Sequence, residues 1–202
     1  RKESILDAAL LLFSLHGYRA ISIDDIAQLS NCSRPLIYHY FVDKEGVWRA
    51  MIRKNVDKVR EITRNLDYSK PAKMLLYDFV NALLEQIVNS SKNNPMSCVL
   101  YLLWNLYLEK DFVPPPPDKI EDRPLSEKPL FLITYHLIER GQKEGSIIKE
   151  DPKEMTIAIL ALIKALAYNK IHLGDTFTCP SINIIMNMFK IKEETLWKKK
   201  SN

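Results

Sequence analysis

Glycine and cysteine are both scarce in this sequence, with 5 Gly and 3 Cys among 202 residues. So few glycines leave no Gly-rich phosphate loop and no collagen-like repeat. Cys32, Cys98 and Cys179 stand far apart, with no CxxC pair and no histidine pair nearby. That excludes a disulfide framework and zinc-ligand spacing. His16, His39, His136 and His172 are scattered as well, so no metal site and no cofactor is expected. No Ser/His/Asp or Cys/His group sits in a catalytic motif, and an enzyme is not expected. Long apolar runs are missing too. The stretches Met96–Leu108 and Met155–Ala167 hold about 13 residues each, short of the roughly 20 that cross a bilayer. Lys164 interrupts the second. No secretory pattern opens the sequence at Arg1, and unpaired cysteines suit a reducing compartment. The expectation is a cytoplasmic protein with no membrane partner.

What the chain has is an ordinary globular composition, 47% hydrophobic and 27% charged. Its length allows one large domain or two small ones with a real core. The formal net charge is only +4, but it is unevenly placed. Residues 1–66 carry 11 Lys+Arg against 8 Asp+Glu, residues 67–189 carry 13 against 15, and residues 190–202 carry 5 against 2. A basic first third suits a polyanionic partner, although solvated lysines produce the same imbalance.

Apolar spacing is helical almost throughout, with no convincing alternation. Ile5, Ala9 and Phe13 define a first helix that stops at Gly17. Ser22, with Asp25 three residues on, marks the start of a short helix to about Leu29. Ser30-Asn31-Cys32 reads as a turn, since Asn tolerates positive φ. Ser33 then precedes a third short helix with Pro35 in its first turn. Asp43 caps a longer helix, and further helices are expected over about 71–91, 95–110, 126–144, 152–173 and 181–197. Pro114 to Pro117 make a stiff connection. The spacing predicts nine helices and an all-α fold.

Two short helices joined by a tight turn and braced by a third outline a helix-turn-helix, whose second helix enters the major groove. Arg34 suits bidentate bonding to guanine. Tyr38, His39, Tyr40 and Lys44 offer donors to phosphates, and Ser22 opens a helix N-terminus where an anion is favoured. The segments Ser22-Ile23-Asp24-Asp25-Ile26-Ala27, Cys32 to Phe41 and Asp43-Lys44-Glu45 resemble the DNA-binding region of TetR-family transcriptional regulators. Phe13, Gly17 and Tyr18, with Ala8 upstream, are similar to that family's first helix. Asn31 departs from the glycine usual in the turn. The resemblance covers about 45 residues. It implies an N-terminal three-helix DNA-binding domain at 1–48 and a helical effector-binding and dimerisation domain at 49–202. Its DNA contacts would be Ser22, Ser33, Arg34, Pro35, Leu36, Tyr38, His39, Tyr40 and Lys44. A homodimer on a palindromic double-stranded operator is implied, with an effector that tilts the fourth helix.

The helices near residues 96–108 and 130–138 have almost no polar face, which fits either plain core or a cavity wall. If they form a cavity, Tyr101, Trp104 and Phe131 are its candidate walls. Asn105, Thr134, Tyr135 and His136 are then the candidate polar contacts to a small, lipophilic effector. The apolar helix from Pro152 and the stripe Ile182, Ile185, Met186 and Phe189 suit either internal packing or a four-helix interface between subunits. Two rival readings stay open at this point. One is a helical small-molecule-binding protein or enzyme with an accessory DNA-binding module, and the other is an architectural DNA binder without an effector.

Overall fold

The structure, a computed structural model, describes residues 1–91, 95–106, 124 and 128–188, with the side chains of 104–106 excepted. Among the described residues it contains nine α-helices and no strand. Residues 114–117, and the expected continuations of helices past 106 and 188, lie outside them.

Three helices form the N-terminal unit: α1 (Lys2–His16), α2 (Ile23–Ser30) and α3 (Arg34–Tyr40). Gly17 ends α1 at φ 80°, a value that suits glycine, though its ψ of 158° lies outside the left-handed helical basin. α2 opens with a full capping box. Asp25 N donates to Ser22 Oγ at 3.2 Å, and Ser22 N donates to Asp25 Oδ2 at 2.7 Å. The Ser22 hydroxyl also donates to Asp25 Oδ2 at 2.6 Å. These bonds, first the Ser22 hydroxyl and then its backbone N–H, hold the Asp25 carboxyl below its ordinary pKa. Asn31 closes the helix at φ 51°, ψ 45°, so the left-handed turn expected of a glycine is made by asparagine.

α4 (Lys44–Arg64) continues without a break across position 48. Asp43 Oδ1 accepts the Gly46 N–H at 2.7 Å to cap it. Val47, Met51, Asn55, Val59 and Thr63 form its buried stripe, every fourth residue, against α1 and its neighbours. Two residues of the stripe are polar: Thr63, whose hydroxyl donates to Arg60 O at 2.9 Å, and Asn55. Its amide donates to Met51 O at 2.8 Å, while Oδ1 is buried with no partner among the described residues. Lys54 joins α4 to α1 through Glu3 and Asp7. Burial opposes the Lys54 charge, but the two carboxylates outweigh it and raise its pKa.

The remaining helices are α5 (Ala72–Val88), α6 (Met96–Leu106), α7 (Leu130–Lys143), α8 (Pro152–Leu173) and α9 (Ile182–Met188). α5 is the axis of this body, and Leu75, Phe79, Leu83 and Ile87 along it are fully buried. α8 packs on α6 along one edge and on α7 along the other, with α5 beneath. By length and composition alone, 152–176 is long and apolar enough to cross a membrane. Its Ile159, Leu160, Ile163 and Ala167 are instead buried in the protein core, which makes it a core helix along that face. Helix α7 is clasped to the α4–α5 connection. The Arg140 guanidinium donates to Lys70 O at 2.7 Å and pairs with Glu144 at 2.7 Å, while Glu144 accepts the Ala72 N–H at 2.8 Å. At Gly141 any side chain would collide with Ile147 of the following loop, so the close approach there requires glycine.

Candidate nucleic-acid interface

The recognition helix α3 is held by very little of its own surface. Ile37 is its one fully buried side chain, while Arg34, Pro35, Tyr38, His39 and Tyr40 are exposed and Leu36 is half-buried. Tyr38 is 46% exposed and Tyr40 40% exposed, large for aromatic residues. Phe41, just past the helix, turns inward and is buried. Ser33 occupies the N-cap position of α3, but its hydroxyl makes no cap hydrogen bond. Exposed aromatic hydroxyls, a serine hydroxyl and the imidazole of His39 are therefore open to solvent around α3, groups suited to phosphate oxygens.

Arg34 and Lys44 are placed differently from one another. Arg34 projects from the first turn of α3 and pairs through Nε with Asp24 Oδ1 of α2 at 2.9 Å, both side chains being more than half exposed. The guanidinium Nη groups stay available to an outside acceptor. Lys44 turns back into the protein. Its ammonium donates to Tyr18 O at 2.9 Å and to Ile21 O at 2.8 Å, and lies 4.3 Å from the Tyr18 ring centre. Two of its three donors are thus spent holding the α1–α2 connection onto α4. The Ser22 hydroxyl is likewise engaged in its own capping box.

The candidate effector residues are not gathered in one place. Tyr101 of α6 lines a cleft of about 350 Å³ between the end of α1, α4 and α8. Phe131, Tyr135 and His136 are half-buried on α7, which packs on α5 and α8. Thr134 is fully buried and donates to Leu130 O of its own helix at 2.8 Å. His136 lies 4.0 Å from Glu139. None of these four α7 residues lines the cleft. The side chains of Trp104 and Asn105 lie outside the described ones.

Sequence reasoning missed the cluster that walls the cleft. Phe13, Tyr18 and Trp48 form a triangle of rings with centroids 5.1–5.4 Å apart, which locks α1 to α4. Tyr101 and Tyr168 face it from α6 and α8, with ring centroids 5.6 Å apart. The signal was present in the density of aromatics at 13, 18 and 48, but their meeting depends on how α4 folds back on α1.

An exposed short helix on a three-helix support, joined to an all-α body, defines a helix-turn-helix fold. Comparison with known proteins agrees. Residues 5–51 match the family model described as bacterial regulatory proteins, tetR family. The chain is 28% identical over 101 residues to the HTH-type transcriptional repressor ComR of Escherichia coli K12, covering 49% of this chain and 47% of ComR. It is 25% identical over 169 residues to the HTH-type transcriptional regulator YhgD of Bacillus subtilis 168, covering 84% and 83%. A TetR-like transcriptional regulator from Rhodococcus sp. RHA1 superposes with a TM-score of 0.64 at 22% identity, over 94% of this chain and 91% of that one. The match to ComR thus spans about half the length of either protein. Residues 5–51 thus match the N-terminal region of the tetR family of bacterial regulatory proteins, and the likeness to the solved structure extends the shared fold over most of the chain.

Proposed function

We propose that this protein is a repressor that binds a palindromic operator as a homodimer and is released by a small, lipophilic effector. The observation that carries the reading is α3, which buries Ile37 and leaves Arg34, Tyr38, His39 and Tyr40 facing outward. Residues 1–48 act as the reader and 49–202 as the effector-binding and dimerisation body. Arg34 reads a base edge through its free Nη groups, and Ser33, Tyr38, His39 and Tyr40 contact phosphates. Pro35 and Leu36 pack at the groove. Ser22 and Lys44 serve DNA binding indirectly, by holding α2 and the α1–α2 connection in place.

Dimerisation is supported by an outward face on α8 and α9 with no partner among the described residues. Ile157 and Leu173 on α8 and Ile184 and Met188 on α9 are exposed large hydrophobics, and Ala158 lies exposed beside Ile157. Such a face suits an isologous contact with a second copy. Release is supported by the position of the cleft. Its lining includes α1, α4, α6 and α8 residues, so a bound molecule presses on reader and body together. An effector acts by favouring the arrangement that cannot span both half-sites. Such a protein works where the chromosome is, in the cytoplasm.

The test is selection of duplexes from a randomised pool, followed by binding titrations. Enrichment of a palindrome bound by two copies is expected, with Tyr38→Ala weakening every duplex while leaving the dimer intact. No enrichment, or unchanged affinity of Tyr38→Ala, contradicts the reading.

A further inference from the structure

The cleft at the junction of reader and body has aromatic walls on both sides and, among the described residues, no acidic residue in its lining. Phe13, Tyr18 and Trp48 face it from one side, Tyr101 and Tyr168 from the other. A shallower recess of about 260 Å³ adjoins it, sharing Tyr101 and Tyr168 and otherwise lined by Ala161, Lys164, Ala165 and Asn169 of α8. The Lys164 ammonium lies 5.6 Å from the Tyr101 ring centre. Among the described residues no carboxylate pairs with it, and burial alone pushes its pKa below the ordinary lysine value. Every other partly buried lysine whose pKa is shifted has a carboxylate beside it: Lys54 has Glu3 and Asp7, and Lys70 has Asp78. A partly desolvated ammonium with no carboxylate beside it among the described residues is an unfavourable arrangement that a bound anion relieves.

We propose that the two recesses together seat an amphipathic organic carboxylate, its anionic head on Lys164 and its planar or aliphatic body among the rings. The proposal rests on the effector-release reading above and names the chemical class of that effector. A cationic ligand is disfavoured, since Lys164 and His16 would meet it and no acidic side chain among the described residues lines either recess. A neutral lipophile would fill the aromatic cleft but leave the ammonium as it is. The volume of the cleft falls at the small end of small-molecule sites, which run from roughly 300 to 1,000 Å³, so one or two fused rings, or a medium-length chain, fill it. Lys164 sits on the α6-facing edge of α8, beside the outward face assigned above to the second subunit. One bound molecule therefore touches α1, α4 and α8, the reader and the dimer platform at once.

The experiment is calorimetric titration of the intact chain with 1-naphthoate and with its neutral analogue 1-naphthalenemethanol. The acid is expected to bind about tenfold or more tighter than the alcohol, the range of a charge-assisted hydrogen bond. Lys164→Met should abolish that difference while binding the alcohol as before, and Lys164→Arg should keep most of it. Equal binding of acid and alcohol to the intact chain, or a difference that survives Lys164→Met, overturns the anion seat. Adding naphthoate to the operator complex separates the two readings. Tight, Lys164-dependent binding that leaves DNA bound upholds the carboxylate site and contradicts effector release.

Discussion

The N-terminal reader and the helical body are built on different principles. In the reader, side-chain bonds to backbone fix the connections: the Ser22–Asp25 box, the left-handed Asn31, the Asp43 cap and the Lys44 clamp on Tyr18 O and Ile21 O. Its recognition helix is short and buries one side chain fully. In the body, α5 and α7 start behind Pro71 and Pro129 with no cap from the preceding side chain; Glu144 at the end of α7 takes the Ala72 N–H instead, and burial supplies most of the rest. Phe79, Leu83, Ile133 and Leu137 are all fully buried. The N-terminal unit leaves the polar groups of α3 outward over a small buried core of Ile5, Leu10, Phe13, Ile26 and Ile37, whereas the body buries whole faces of its longer helices.

Substitutions should therefore separate the two regions. The largest effect is expected from Phe79→Ala in the body, which should cost about 3–5 kcal/mol of stability. Chemical denaturation measures it, and base preference in the surviving folded protein should not change. Next comes Lys44→Met, which strands two carbonyls and should cost about 1.5–3 kcal/mol of stability, seen as earlier thermal unfolding. If Lys44 acted mainly on phosphates, stability would hold and only DNA affinity would fall. Arg34→Ala should lose roughly 1–3 kcal/mol of binding at its own base pair and relax preference there. A uniform loss on all sequences would make it a phosphate contact.

The smallest effect concerns acid. Asp25 is held low by Ser22, Glu3 chiefly by Lys54, and Glu144 by the Ala72 N–H and then Arg140. Carboxylates with lowered folded pKa contribute stability that is full above their ordinary values and is lost as pH falls through the lowered ones. Unfolding should ease only below the usual carboxylate range, and Glu144→Gln should flatten part of that dependence without touching base preference. A midpoint shift near neutral pH would contradict this.

This division also explains how much could be read from the sequence. The reader's signals are local, so Ser22, Asn31 and Asp43 announced their roles by position alone. The all-α fold followed from apolar spacing, and the helix limits moved mainly where prolines open α5 and α7. Lys44 was read as a phosphate donor because its residue type fits one, yet its chain direction turns it inward. The cleft was not legible. Tyr101 was placed with α7 residues that are also apolar and aromatic, whereas the cleft sets it against Tyr168, Phe13 and Trp48. Those partners are up to 155 positions apart along the chain, and only the packing of α6 between α1 and α8 brings them together. Lys164 looked like an interruption in an apolar helix, and its missing counter-charge became visible only in three dimensions.

With a net charge of only +4, the proposed regulator holds DNA through a few placed contacts on two α3 helices. The most direct test is the affinity of the purified dimer for a selected palindrome, measured across a range of salt concentrations. A straight, steeply falling plot of log K against log salt is predicted, because several phosphates are neutralised at once. A flat plot would contradict a DNA-reading role for α3.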